Sequence, residues 1–320
     1  MFDLRMVRTP LFRIAPLVLG LAVVASGLAD RDGARPVGYA ERVRVGALGP
    51  LRFDDRLVIE IEGITSPYLR GRTLSRYHDG AWWPKEGALL PVAAQGEATH
   101  RARLADGAAF LPLGAQVVAS PAGAARRRAD GTHVLAPEAT WVGFRLEAED
   151  AAPDPDDLEV PPAVREALVK RARALAGRGT PREQAERLRR ALATSMDYRL
   201  DFEPRPGVDP VLDFLERGEG GHCELFASAY VLLARSLGIP ARLVSGYYAS
   251  ERVPEAGILR ARRSDAHAWA EVYVDGRYRT ADPTPPQGSK TTSMRFRFPS
   301  TSLPTPDTPR SSSASAISSS

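Results

Sequence analysis

The chain has 320 residues, enough for two ordinary domains, of which 43% are apolar and 26% charged. That is a globular composition, and it excludes wholesale disorder, collagen-like sequence and a multi-span membrane protein. The formal net charge is +4, but residues 1–29 carry +2 and residues 284–320 carry +3, leaving −1 between them. The basic balance therefore belongs to the two ends and is no footprint for nucleic acid.

At the amino terminus Arg5, Arg8 and Arg13 precede an uncharged run from Ile14 to Ala29, which closes on Gly27-Leu28-Ala29 before Asp30. A basic region, an apolar stretch and a small-residue end are, in that order, the parts of an export signal. The run is shorter than the roughly 20 residues a spanning helix needs. Residues 1–29 are thus expected to be a cleaved signal peptide, which puts the protein in the periplasm or outside the cell. Membrane anchorage through residues 11–29, with Arg13 snorkelling, is the alternative.

Residues 30–150 read as a smaller β-rich domain. Leu57–Glu62 has strand alternation, residues 72–77 and 81–84 flank the hairpin signal Asp79-Gly80, and residues 140–146 form another strand. Trp82 and Trp83 are expected to anchor this domain. The stretch 151–159, with Pro153, Pro155 and three aspartates, reads as a linker.

After the linker the period becomes helical. A helix is expected over 163–176, and Thr180-Pro181-Arg182-Glu183 is a capping box with proline at N1, opening a second helix to about Ser195. The most apolar helix runs over 224–237 and stops at Gly238-Ile239-Pro240. Strands follow over 241–248 and 266–274, the last turning at Asp275-Gly276 into 277–282. Helices followed by antiparallel strands make an α+β domain, placed at 160–287. A fragment over 153–288 is expected to fold by itself. From Thr284 onward 23 of 37 residues are Ser, Thr or Pro. Residues 288–320 accordingly read as a disordered tail, with a single short alternating strand at 294–298.

Cys223 is the chain's only cysteine, which excludes an internal disulfide and a cysteine-cluster zinc site. It follows Gly220-Gly221-His222 and opens the apolar helix. The first-turn N–H groups and the helix dipole stabilise a thiolate there, and the same groups can hold the oxyanion of a tetrahedral intermediate. A thiolate nucleophile also needs a base and an orienter for that base. His222 is adjacent to Cys223, so its side chain projects elsewhere and reads as structural. His267 is placed by geometry. A two-residue Asp275-Gly276 loop pairs Val274 with Arg277, sets Trp269 opposite Asp282, and makes His267 and Asp282 diagonal neighbours on one face. A slip of one residue would put them on opposite faces. One free thiol at such a helix start, in an exported chain with a His–Asp pair in register, points to a triad of Cys223, His267 and Asp282. There is no glycine-rich phosphate loop and no metal-ligand spacing among the histidines, so neither cofactor nor metal is expected.

The segments Gly221-His222-Cys223-Glu224-Leu225-Phe226-Ala227-Ser228-Ala229, Gly238-Ile239-Pro240-Ala241-Arg242, Ala266-His267-Ala268-Trp269-Ala270-Glu271-Val272 and Asp282-Pro283-Thr284 resemble the core of the transglutaminase-like superfamily. The likeness is to the bacterial branch whose members carry an external cysteine-protease-like domain on a multi-span membrane protein. Tyr68-Leu69-Arg70-Gly71, with Tyr77-His78-Asp79-Gly80 and Trp82, resembles the β-rich region that precedes that core. The resemblance implies a papain-like α+β fold with Cys223 as nucleophile, His267 as base and Asp282 as orienter. Tyr198 is the candidate for the side-chain oxyanion donor some relatives carry, a core or groove tyrosine being the other reading. One apolar segment and a Ser/Pro tail stand where the branch has several membrane spans.

The activity expected is attack on an amide carbonyl through an acyl-thioester, with a protein or peptide as substrate, no nucleic-acid partner and no oligomer. Hydrolysis is placed first, because Trp269 is the one aromatic that register puts at the site and a cross-linker needs apolar walls around its thioester. Protein cross-linking through a lysine amine and a non-catalytic envelope-binding module are the alternatives.

Overall fold

A computed structural model describes residues 42–285, apart from 47–53, 64–65, 93–95, 106–108, 121–124, 136–138 and 150–151. The signal or anchor, the strand at 294–298 and the Ser/Thr/Pro-rich tail lie outside the described residues. Among those described, no helix is long and apolar enough to cross a membrane.

Among the described residues there are four α-helices: α1 (Pro162–Ala176), α2 (Pro181–Ser195), α3 (Pro210–Arg217) and α4 (Cys223–Ser236). Proline in the first turn starts α1, α2 and α3, where its missing N–H costs nothing. The capping box of α2 is formed, Thr180 accepting from the Glu183 N–H and the Glu183 carboxylate from the Thr180 N–H. Helix α3 was not anticipated, although its signals are ordinary ones. The Asp209 side chain accepts from the N–H groups of Val211 and Leu212, and Gly218 ends the helix at φ 61°.

Among the described residues two six-stranded sheets carry most of the rest, beside a three-stranded and a two-stranded one. The first runs Val43–Arg44, Ala81–Pro84, Tyr68–His78, Ala241–Tyr248, Ala266–Val274, Arg277–Ala281. The second runs Glu251–Val253, Ile258–Arg262, Leu57–Glu62, His100–Leu104, Trp141–Leu146, Ala115–Ala119. Every pairing in both sheets is antiparallel. Helix α4 is buried from Cys223 to Arg235 and packs on the Ala241–Tyr248 and Ala266–Val274 strands and on α1, α2 and α3. A helix apolar on all sides belongs at the centre of a core, and this one is flanked there by Leu168, Leu188, Phe214 and Leu243. A second apolar cluster, with Ile59, Ile61, Val142 and Phe144, belongs to the second sheet.

The composition break near residue 150 is not a break in strand pairing. Strands from both sides of the break pair in both sheets. Tyr68–His78 lies beside Ala241–Tyr248 in the first, and Ile258–Arg262 lies beside Leu57–Glu62 in the second. Trp82 anchors no separate β domain. It is buried in the core around α4, and its Nε1 donates to Ser228 Oγ of that helix at 2.9 Å. The supposed linker is a packed strap. Pro155–Leu158 is a 3-10 turn capped by Asp154, and the buried Asp157 carboxylate accepts from Ser75 Oγ at 2.6 Å and from the Tyr278 hydroxyl. Proline and aspartate signal a chain that leaves regular structure; they do not distinguish a free linker from a segment held by its own aspartates.

Candidate active site

The site begins at the Asp275-Gly276 turn, whose φ values of 53° and 77° are those a two-residue hairpin of the primed type requires. It pairs Val274 with Arg277 and continues in strict register to Ala270 opposite Ala281. Asp282 follows directly, and its Oδ2 lies 2.7 Å from His267 Nε2. Its other oxygen accepts the Thr284 N–H at 2.9 Å.

Cys223 occupies the first position of α4, is 1% exposed, and lies close enough to His267 to act on its titration. With Nε2 turned to Asp282, the imidazole has Nδ1 for the sulfur. Burial would push the His267 pKa down, but the hydrogen bonds to Asp282 and Cys223 and their charges carry it up to about 10. Asp282 has the reverse balance. Burial raises it, and the hydrogen bond and charge of His267, with the Thr284 N–H, hold it below the usual carboxylate range. At neutral pH the arrangement is an imidazolium set between a carboxylate and a sulfur.

Two glycines make the approach possible. Gly220, at φ 109°, precedes α4 in a short parallel pairing that sets Asp197 against Gly220 and Tyr198 against Gly221. A Cβ at Gly220 would stand 2.0 Å from the Asp197 carbonyl oxygen. Gly246 sits opposite His267, where a Cβ would stand 2.1 Å from the Leu69 carbonyl oxygen and 2.9 Å from the Trp269 ring. Side chains at either position would push the strands apart.

Tyr198 is brought to the entrance of α4 by that pairing. Burial pushes its pKa up, and the charges of Cys223 and Glu224 push it further, so it remains a protonated donor. His222 caps α4 by position only. Its ring is fully buried, neither nitrogen has a hydrogen-bond partner, and burial lowers its pKa to about 4. It is neutral and takes no part in the His267–Asp282 hydrogen bond.

Tyr68 and Tyr248 were not anticipated at the site. The Tyr68 hydroxyl donates to Asp282 Oδ2 at 3.0 Å, the same oxygen that faces His267. Its ring centroid is 5.3 Å from Trp269, 5.1 Å from Tyr248 and 6.4 Å from His267. Tyr248 stands edge-on to His267 at 6.1 Å, and Trp269 stacks on it at 6.1 Å. The pairing of Tyr248 with Tyr68 creates this cluster. Tyr68 lies within the quoted Tyr68-Leu69-Arg70-Gly71 motif, but no local pattern reveals which distant strand it will face.

A buried thiol at a helix start, beside an imidazole and carboxylate carried by an antiparallel hairpin, is an arrangement of the papain-like cysteine enzymes. Residues 169–283, about a third of the chain, match the core-domain model of the transglutaminase-like superfamily. It is 37% identical over 123 residues to the protein-glutamine gamma-glutamyltransferase of Pseudomonas aeruginosa, a stretch covering 36% of this chain and 18% of that protein. To the protein YebA of Bacillus subtilis it is 44% identical over 75 residues, covering 22% of this chain and 10% of that protein. The match therefore spans less than a fifth of the length of either curated relative. The crystal structure of the periplasmic domain of TgpA from Pseudomonas aeruginosa has the same fold, with a TM-score of 0.60 at 20% identity over 77% of this chain and 93% of that domain.

Proposed function

We propose that the protein is a thiol acyltransferase that uses Cys223, His267 and Asp282 to take an acyl group from an amide, of the glutamine side-chain type, and pass it to a primary amine. The Cys223 sulfur attacks the amide carbonyl carbon while the free N–H groups at the start of α4 receive the oxyanion. Tyr198 is the side-chain donor available to the same oxygen. His267 gives its Nδ1 proton to the departing nitrogen, so that ammonia leaves and an acyl-thioester remains on Cys223. An incoming amine then attacks the thioester, His267 takes back a proton, and the thiolate is released. Asp282 orients the ring and stabilises its charged form throughout.

The observation that carries this reading is the His267 Nε2–Asp282 Oδ2 contact at 2.7 Å, with the buried Cys223 at the start of α4 close enough to act on the imidazole. The choice of amine over water departs from the sequence-based expectation, which rested on Trp269 being the one aromatic at the site. Tyr68 and Tyr248 stand against His267 as well, and such apolar walls restrict water at a thioester. The name of the Pseudomonas relative points the same way. Hydrolysis is the second reading, favoured by the exposure of Tyr248, 40% open to solvent at the rim. The residues 1–29 place the enzyme, in this proposal, in the periplasm or outside the cell, cleaved or anchored through 11–29, with a protein or peptide as substrate.

The test is incubation of the full chain with a glutamine-containing peptide and millimolar labelled primary amine. The proposal expects amine adduct to form faster than free acid, and both to vanish in Cys223→Ala. Free acid in excess at saturating amine would establish hydrolysis instead.

A further inference from the structure

We propose that Tyr68, supplied by the upstream half of the chain, is a positioning residue of the site, holding the Asp282 carboxylate in the plane that His267 needs and sharing the charge of its Oδ2. The proposal rests on the assignment of Cys223, His267 and Asp282 made above.

Asp282 has just left the strand pairing and is followed by Pro283, so the backbone alone fixes its carboxylate poorly. Three donors fix it instead. The Thr284 N–H reaches Oδ1, while His267 Nε2 and the Tyr68 hydroxyl both reach Oδ2. The Tyr68 hydroxyl is itself immobilised, because its ring is wedged against Trp269 and Tyr248 and its strand pairs with Ala241–Tyr248. Burial and the Asp282 charge push its pKa up, so it stays a donor across the working range.

The chemical consequence has a definite sign. A second donor on the oxygen that faces the imidazole draws negative charge away from it. The imidazolium is then held less tightly than by a carboxylate oxygen left to His267 alone. A base that must receive and return a proton in one cycle benefits from that moderation. Removing only the hydroxyl should leave the packing in place, return negative charge to the oxygen that faces the imidazole, and make His267 harder to deprotonate.

Because Cys223 is the only cysteine, alkylation of the full chain reads the site without any substrate. An imidazolium beside the sulfur favours the anionic iodoacetate over neutral iodoacetamide, so the ratio of the two rates against pH reports the deprotonation of His267. In Tyr68→Phe that limb should move to higher pH by roughly half a unit or more. In Asp282→Asn it should fall toward the ordinary histidine range, and adding Tyr68→Phe to Asp282→Asn should change nothing further. A limb unmoved in Tyr68→Phe, or moved equally in the Asp282→Asn background, overturns the positioning role and leaves the triad standing. A limb that Asp282→Asn itself does not move overturns the triad assignment and the role of Tyr68 with it.

Discussion

The two six-stranded sheets differ in what they carry and in how they are held. The first bears Tyr68, Tyr248, His267 and Trp269, leads directly into Asp282, and is stabilised by apolar burial against α4. The second bears none of these groups. Nevertheless it fixes where His267 enters. The chain leaves the first sheet after Tyr248, contributes Glu251–Val253 and Ile258–Arg262 to the edge of the second, and returns to begin the Ala266–Val274 strand. Ion pairs hold that excursion, with Arg260 set between Glu60 and Glu251. Its return is pinned where the Arg263 N–H reaches the Arg56 carbonyl at 3.0 Å. The candidate site is therefore a product of both halves of the chain, although Cys223, His267 and Asp282 come from one.

A fragment over 153–288 lacks the Tyr68–His78 strand, so Ala241–Tyr248 becomes an open apolar edge and α4 loses Trp82. The fragment should be insoluble or molten, without near-ultraviolet dichroism. A cooperative thermal transition in it would restore the independent domain expected from composition.

A smaller effect separates the halves without removing either. Arg70 and Glu149 from the upstream half and Arg242 and Glu271 from the other form a buried cluster, with Arg242 2.6 Å from Glu149 and 2.7 Å from Glu271, and Arg70 3.0 Å from Glu149. Removing one charge from such a group leaves the others uncompensated. Glu271→Gln should cost about 3–5 kcal/mol in denaturant unfolding. A loss below about 1 kcal/mol would mean that the cluster does not join the halves.

The smallest effect is the pH dependence of stability. The folded pKa of His267 is raised from 6.5 to about 10, so its contribution is fully present below 6.5 and is lost as pH rises toward 10. His133 in the upstream half and His222 beside the thiol are held at about 4, chiefly by burial. Unfolding lets them take up protons, so stability should also fall as pH drops from 6.5 through 4. Thermal midpoints should peak near pH 6.5, and His267→Ala should flatten the alkaline side while leaving the acid side. A variant that still declines above neutrality would show that the alkaline limb belongs to another group.

The hairpin that unites His267 and Asp282 was legible because Asp275-Gly276 fixes register within a dozen residues, and the helix bearing Cys223 because its apolar run and its Gly-Ile-Pro stop are local. The capping box of α2 was local too. What escaped depends on pairing between distant segments. Nothing in Tyr68–His78 says that it will lie beside Ala241–Tyr248, since antiparallel strands of similar pattern are interchangeable until the whole sheet is assembled. Tyr68, Tyr248 and the place of Trp82 all follow from that one pairing. The packing of 155–158 is illegible for a different reason: Asp157 looks like a solvated charge until Ser75 and Tyr278 arrive to satisfy it.

The central claim is that an acyl group rests on Cys223 during turnover. The full chain mixed with a glutamine-containing peptide, quenched in acid and mapped by mass spectrometry tests it directly. The account predicts a peptide adduct on Cys223 lighter than the sum of the two by one ammonia, accumulating in the absence of amine and discharged within the mixing time when a primary amine is added. An adduct on any other residue, or turnover that persists in Cys223→Ala, would contradict it.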